Sequence, residues 1–173
     1  MMPKYSQEEN DITDSVNLLI SILVRYPEIA TIRFDSNKKM MKLTFMVSEA
    51  ITEDAFSGLS SIILDSIGIY HMLQGTVDSV ADMNMAVFDG VTVLTLYRDV
   101  NTFSKGEIAM TIALLRDYCY ERLVIDRNDA VPEEELIMQE QMIDSMLEQV
   151  KGVQSVTSFV GIREDGRVLV FNK

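Results

Sequence analysis

His71 is the single histidine of this 173-residue chain, and histidine is the side chain that ordinarily titrates near neutral pH. Tyr70 precedes it, and Asp78 and Asp82 follow in the next predicted strand. We therefore predict, as one hypothesis, a ligand pocket lined by Tyr70, His71, Asp78 and Asp82. No second ligand at metal-site spacing accompanies His71, so we predict no metal. A cationic His71 near a helix end is the alternative interpretation.

Cys119 is the single cysteine, which excludes an intramolecular disulfide and a cysteine-based metal site. It would act as a nucleophile only beside a base that lowers its pKa, and a buried small hydrophobe is the favoured interpretation. The sequence contains no GxSxG, HExxH, P-loop or dinucleotide-binding glycine motif. We assign no catalytic residue and no cofactor, and a non-enzymatic role is favoured.

Twelve methionines are present, and methionine fills irregular cores and forms adaptable recognition surfaces. Met138, Met142 and Met146 follow one another at four-residue spacing, which places them on one side of a predicted helix. This ridge is predicted to meet either the sheet or a second subunit.

The net charge of −12 disfavours nucleic acid and anionic membranes, which are recognised through clustered Lys and Arg. Much of the charge lies in the acidic segment 126–150. Glu133, Glu134 and Glu135 suit the first turn of a helix, after a cap at Asp129 or Val131 and with Pro132 in the first turn. Farther along lies a face that we interpret as solvated (Glu140, Asp144 and Glu148). A docking face for a basic partner is the alternative, and the EF-hand pattern fails at Ala130, Val131 and Ile137.

No signal peptide or membrane-spanning run is recognised, so a cytoplasmic protein is expected. Periodicity predicts helices starting near residues 11, 53, 104 and 132, with Asp11 or Thr13, Thr52, and a Ser104–Glu107 capping box at the first three. Hairpins are predicted over 29–47, over 76–97 with an Asp89-Gly90 turn, and over 153–171. Gly152 is predicted to close the last helix in the left-handed conformation.

These elements predict an α+β two-layer sandwich, in which a mainly antiparallel sheet of about six strands (three hairpins) packs against four helices. The chain order fits a ferredoxin-like fold from Met40 onwards, and equally a roadblock or profilin-like order from the first helix. Residues 1–10 are expected to form a flexible N-terminus and 11–173 a single domain, with 128–173 as a possible appendage. The segments from Ser21 and Ser145 align loosely, through a duplication or because any helix that feeds a hairpin gives this pattern.

The segment MLEQVKGVQSV, followed by REDGRVLV, resembles the opening of a roadblock domain and the back half of a heavy-metal-associated domain. The metal-binding cysteine pair of the latter family is absent here, so no metal function is implied. The first functional hypothesis is a non-enzymatic interaction or regulatory module that forms a homodimer and has a possible further protein partner. Its docking element is the fourth helix, with an interface at Met138, Met142 and Met146. The alternatives are a small-molecule binder or enzyme, with its pocket between the sheet and helices two and three, and an acidic protein that docks a basic partner.

Overall fold

The computed structural model describes residues 4–126, 131–153 and 157–172. Within these ranges there are four α-helices: α1 (Lys4–Arg25), α2 (Glu53–Leu73), α3 (Lys105–Cys119) and α4 (Glu133–Lys151). The six strands are β1 (Thr31–Asp35), β2 (Met40–Val47), β3 (Ala81–Phe88), β4 (Val91–Asp99), β5 (Ser158–Glu164) and β6 (Arg167–Asn172). The predicted α+β two-layer arrangement is confirmed.

The six strands form one sheet in the order β3-β4-β2-β1-β5-β6, and every pairing is antiparallel. The ferredoxin-like order is not confirmed, because its split βαβ units place parallel strands side by side. The order helix, hairpin, helix, hairpin, helix is present from α1 to α3. β5 pairs with β1, so the last helix and hairpin complete the same sheet.

The described helices cover one face of the sheet. A row of paired residues runs across that face and is buried (Met83, Leu96, Leu43, Ile32 and Gly161). A Cβ added to Gly161 would lie 2.8 Å from Leu23 of α1, so only glycine lets this helix approach β5 so closely. The opposite face carries threonines at its centre, where the hydroxyls of Thr31 and Thr44 form a hydrogen bond of 2.5 Å.

α1 lies over the paired strands β1 and β5 and packs against α4. Arg25, at the end of α1, donates to Glu140 in the first half of α4 at 3.0 Å. The two helices therefore run antiparallel, as do the strands that follow them. The loosely similar segments that begin at Ser21 and Ser145 thus belong to two helix-plus-hairpin units, α1-β1-β2 and α4-β5-β6, which meet through the pairing of β1 with β5.

Several local signals act as predicted. Thr52 caps α2, since its hydroxyl accepts from the Ala55 amide at 3.1 Å. Asp89 and Gly90 both have positive φ, at 48° and 78°, as a two-residue hairpin turn with right-handed strand twist requires. Helix two has its predicted bounds because the capping residue and the apolar period agree.

Four local predictions were wrong. α1 begins at Lys4, so Asp11 and Thr13 lie inside the helix and do not cap it. Ser104 makes no capping bond, because its hydroxyl donates to Tyr70. Gly152 has φ −88° and is not left-handed. β3 begins at Ala81, five residues after the predicted start of that strand. Pro132 occupies the cap position of α4, and Asp129 lies outside the described residues.

Candidate functional site: the α2–β3 surface and the cluster behind it

A buried cluster of polar side chains joins α2, α3 and the end of β4. The guanidinium of Arg98, which is fully buried, lies between Glu107 and Asp99. Its Nη1 donates to Asp99 Oδ1 at 2.6 Å, its Nη2 donates to Glu107 Oε2 at 3.1 Å and to Thr102 Oγ1 at 2.9 Å, and its Nε donates to Glu107 Oε1. Glu107 and His71 are also buried. Buried charges persist only when paired and hydrogen-bonded, as these are.

His71 holds α2 to this cluster through its Nε2, which lies 2.5 Å from Glu107 Oε2. Arginine carries no acceptor, and both protons of Arg98 Nη2 are already directed at Thr102 and Glu107. The consistent assignment therefore puts a proton on His71 Nε2, which donates to Glu107. His71 Nδ1 has no hydrogen-bond partner among the described residues. The arrangement can brace α2 against α3 and β4.

Asp99 orders the chain on both sides of the cluster. Its carboxylate accepts from the amide of Val80 at 2.8 Å and from the amide of Thr102 at 2.9 Å. Burial opposes ionisation of this carboxyl, but the hydrogen bonds from Val80, Thr102 and Arg98 outweigh burial and hold its pKa below the ordinary value. A depressed pKa in the folded state stabilises the fold above the unfolded pKa, and this contribution is lost as pH falls.

We expect the free energy of unfolding of Asp99→Asn to fall less steeply with decreasing pH, in the acid range, than that of the wild type. Below about pH 4 one titrating carboxyl changes the unfolding free energy by at most about 1.4 kcal/mol per pH unit, and asparagine does not titrate. The measurement is urea unfolding at several pH values between about 2 and 5. Asp65→Asn, at an exposed position, is the matched control. Equal slopes in the two variants would contradict the role assigned to Asp99.

The four residues predicted to line a pocket do not converge in the structure. Tyr70 and His71 pack edge to face with ring centroids 5.2 Å apart, and the Tyr70 hydroxyl accepts from Ser104 at 3.1 Å. Asp78 is exposed in the loop before β3, with φ 62°. Asp82 is exposed on the uncovered face of the sheet. The sequence analysis placed Glu107 in a capping box and did not predict that it meets Arg98 and His71, although Arg98 continues the buried alternation of Thr92, Leu94 and Leu96 along β4.

On the side turned away from this cluster, α2 exposes an apolar face. With the loop that follows and the outer edge of β3, it forms what we term the α2–β3 surface, with exposed apolar residues Ile62, Ile69, Met72, Leu73, Val77, Val80 and Val87. Between Ala55 and Leu73 the helix carries one carboxylate, Asp65, and no Lys or Arg. These seven residues are each between 43% and 80% exposed, and contiguous apolar patches of more than a few hundred Å² are rare on monomers.

α2 is long and apolar enough to cross a membrane by length and composition, a test that core helices of soluble proteins also meet. Its buried side is occupied by the fold, since Leu59, Ile63, Ile67 and His71 all lie in the interior. The exposed side is therefore the part of α2 for which the described chain offers no covering.

The methionine ridge of α4 is divided. Met138 and Met142 are exposed, whereas Met146 packs against the core. The acidic face beside it is not merely solvated, because Glu140 bonds Arg25 and Asp144 accepts from the Lys105 amide at 3.0 Å. These two acids attach α4 to α1 and α3.

Two of the cavities between described residues lie outside the cluster. The larger, of about 450 Å³, is lined by the end of α1, the first turns of α4 and the β5–β6 hairpin. Glu28, Arg116 and Arg163 are among its charged residues, and Arg116 already pairs with Glu28 at 3.5 Å. Asp126 and Val131 line it too, and they flank residues outside the described ranges. The smaller, of about 200 Å³, borders Cys119, whose thiol pKa is raised by burial. Neither cavity includes any of the four residues predicted to line a pocket.

Comparison with models of known protein families gives no match. Comparisons with curated proteins and with solved structures give no match either.

Proposed function

We propose that this protein is a non-enzymatic interaction or regulatory module that works as a homodimer in the cytoplasm and docks through the α2–β3 surface. The exposed apolar face of α2 carries the proposal. A face of this composition costs free energy in water, at about 25 cal/mol per Å², and association removes that cost. The cluster of Arg98, Glu107 and His71 supports the proposal because it fixes the orientation of α2 and keeps this face outward.

The size of the surface fits a stable dimer. A standard protein–protein interface buries about 800 Å² on each partner, and seven large apolar residues exposed by 43% to 80% contribute much of such an area. Charge depletion at the centre of such interfaces also matches the single carboxylate Asp65 on this stretch of α2.

We expect Ile69→Asp to dissociate the dimer without unfolding the chain. Ile69 is 55% exposed, so the variant buries no charge within the subunit, whereas the dimer would bury two. A cost of at least about 2 kcal/mol per copy at an interface centre weakens dimerisation by about a thousandfold. Sedimentation equilibrium and native mass spectrometry measure the change, and circular dichroism verifies the fold.

Met142→Asp is the matched control, since Met142 is 48% exposed on α4. It should leave the dimer intact. Dissociation by Met142→Asp with no effect of Ile69→Asp would instead place the interface on the ridge of Met138, Met142 and Met146. A wild-type chain that stays monomeric at all concentrations would refute the homodimer.

Salt dependence separates this proposal from docking of a basic partner by the acidic helix. Two copies that each carry −12 repel one another, and salt screens that repulsion. The homodimer should therefore tighten as ionic strength rises. Attraction between an acidic face and a basic partner would weaken under the same change.

A further inference from the structure

The outer edge of β3 is a strand edge with little of the usual protection against pairing. β3 is eight residues long, contains no proline or glycine, and has Asp82 as its single charged residue. Edge strands of soluble proteins are commonly blunted by charges, proline, bulges or a covering segment. No described strand pairs with this edge, since β3 stands first in the sheet order.

The hydrogen-bonding groups on that edge can be assigned from the β3–β4 ladder. The Asp99 amide donates to the Val80 carbonyl at 3.2 Å. In an antiparallel pair alternate residues direct both backbone groups to the same neighbour. The even-numbered residues of β3 therefore bond β4, and the odd-numbered residues Ala81, Met83, Met85 and Val87 face the open edge. The Met83 amide donates to the Asp82 carboxylate at 2.8 Å, so strand pairing at this edge requires Asp82 to release it.

From this geometry we propose that a second copy of the chain adds its β3 antiparallel to this edge, so that the dimer has one continuous twelve-stranded sheet. The inference rests on the proposed homodimer and specifies how the two copies join. A two-fold axis perpendicular to the sheet makes the strands antiparallel and keeps both α2 helices on one face. The two helices then meet through the apolar residues of the α2–β3 surface.

The chain contains a related arrangement. β1 pairs antiparallel with β5, and α1, which contacts both strands, packs antiparallel on α4. Helices pack with axes about 8–10 Å apart, which is about two strand spacings, so a pair of helices fits above a central strand pair. The β3–β3 junction would place the two α2 helices in this way.

The direction of the free backbone groups also limits the register. The residues whose backbone groups point outward are odd-numbered, and they must face each other across the junction. The numbers of any two paired residues therefore add up to an even number. Two such registers each pair seven residues of β3. The register that keeps Phe88, which flanks the turn, out of the ladder pairs Ala81 with Val87 of the second copy and places Asn84 on the two-fold axis. Asp82 then faces Ala86 of the second copy, which keeps the two carboxylates apart. Asn84 faces its own copy in a non-hydrogen-bonded pair, where side chains approach most closely.

The test is disulfide trapping with Asn84→Cys in a Cys119→Ala background of the full chain. In the proposed register the two thiols lie within reach of a disulfide, whose Cβ atoms are about 3.5–4.5 Å apart. Mild oxidation should convert most of the chain to a covalent dimer, as measured by intact mass and non-reducing electrophoresis. Asn172→Cys, at an exposed position on the other edge strand β6, is the matched control and should remain largely uncoupled.

The outcomes distinguish the two proposals. A dimer by sedimentation that is trapped through Asn84 supports the continuous sheet. A dimer by sedimentation that is trapped through Asn172, or through neither cysteine, overturns the β3 junction and leaves the homodimer in place. If the chain is a monomer by sedimentation and Asn84→Cys forms no covalent dimer, both the homodimer and the β3 junction are refuted.

Discussion

Arg98→Met should lower the free energy of unfolding by about 3–5 kcal/mol, the largest effect that we expect from any single substitution outside the apolar core. Removing one partner of a buried ion pair leaves the other charge without compensation in a medium of low polarity. Here Glu107 would lose the bonds from Nε and Nη2, and Asp99 would lose the bond from Nη1. Urea unfolding at neutral pH measures the loss.

Arg167→Met is the control for this substitution. Arg167 is exposed on β6, and substitutions at such surface positions usually change stability by less than about 0.5 kcal/mol. The double variant Arg98→Met/Glu107→Gln should recover part of the stability lost in Arg98→Met, because the uncompensated carboxylate is removed as well. A loss under about 1 kcal/mol for Arg98→Met, or no recovery in the double variant, would contradict the cluster as a brace.

Arg163→Met should lower the free energy of unfolding by about 2–4 kcal/mol, because it removes the hydrogen bonds that hold the junction between α1 and β1. The guanidinium donates to the carbonyls of Ile29 at 2.9 Å and Tyr26 at 2.8 Å, and to that of Leu23. These carbonyls follow or end α1, where helix carbonyls have no intrahelical donor. Hydrogen bonds from charged donors contribute about 1.5–3 kcal/mol each, and water that enters the neighbouring cavity offsets part of the loss.

Arg163 makes these three hydrogen bonds although burial lowers the pKa of its guanidinium. Arg167→Met, at an exposed position on β6, is the control and should change stability by less than about 0.5 kcal/mol. Thermal and urea unfolding compare the two variants. Equal stabilities of the two variants would show that water satisfies the three carbonyls as well as Arg163 does.

Much of the fold was predictable because its signals are local. The bounds of α2 follow from Thr52 and the apolar period, and the β3–β4 hairpin follows from Asp89-Gly90 between alternating strands. The start of α1 was not predictable from its caps, since Asp11 and Thr13 are compatible with a helix interior as well as with its first position. The capping box at Ser104 failed because Tyr70 and the buried cluster compete for its two members.

The sequence by itself determined the fold class, the element order and an acidic charge, since periodicity, turn chemistry and composition act over a few residues. The tertiary structure alone decided which side chains meet. His71 lies 36 residues from Glu107 and 27 from Arg98, and no local pattern encodes contacts at those separations. It also decided which apolar residues are exposed, because Ile62 and Ile63 are alike in sequence and only packing turns Ile63 inward. The exposed face of α2 and the open edge of β3 are consequences of sheet order, which arises from long-range pairing.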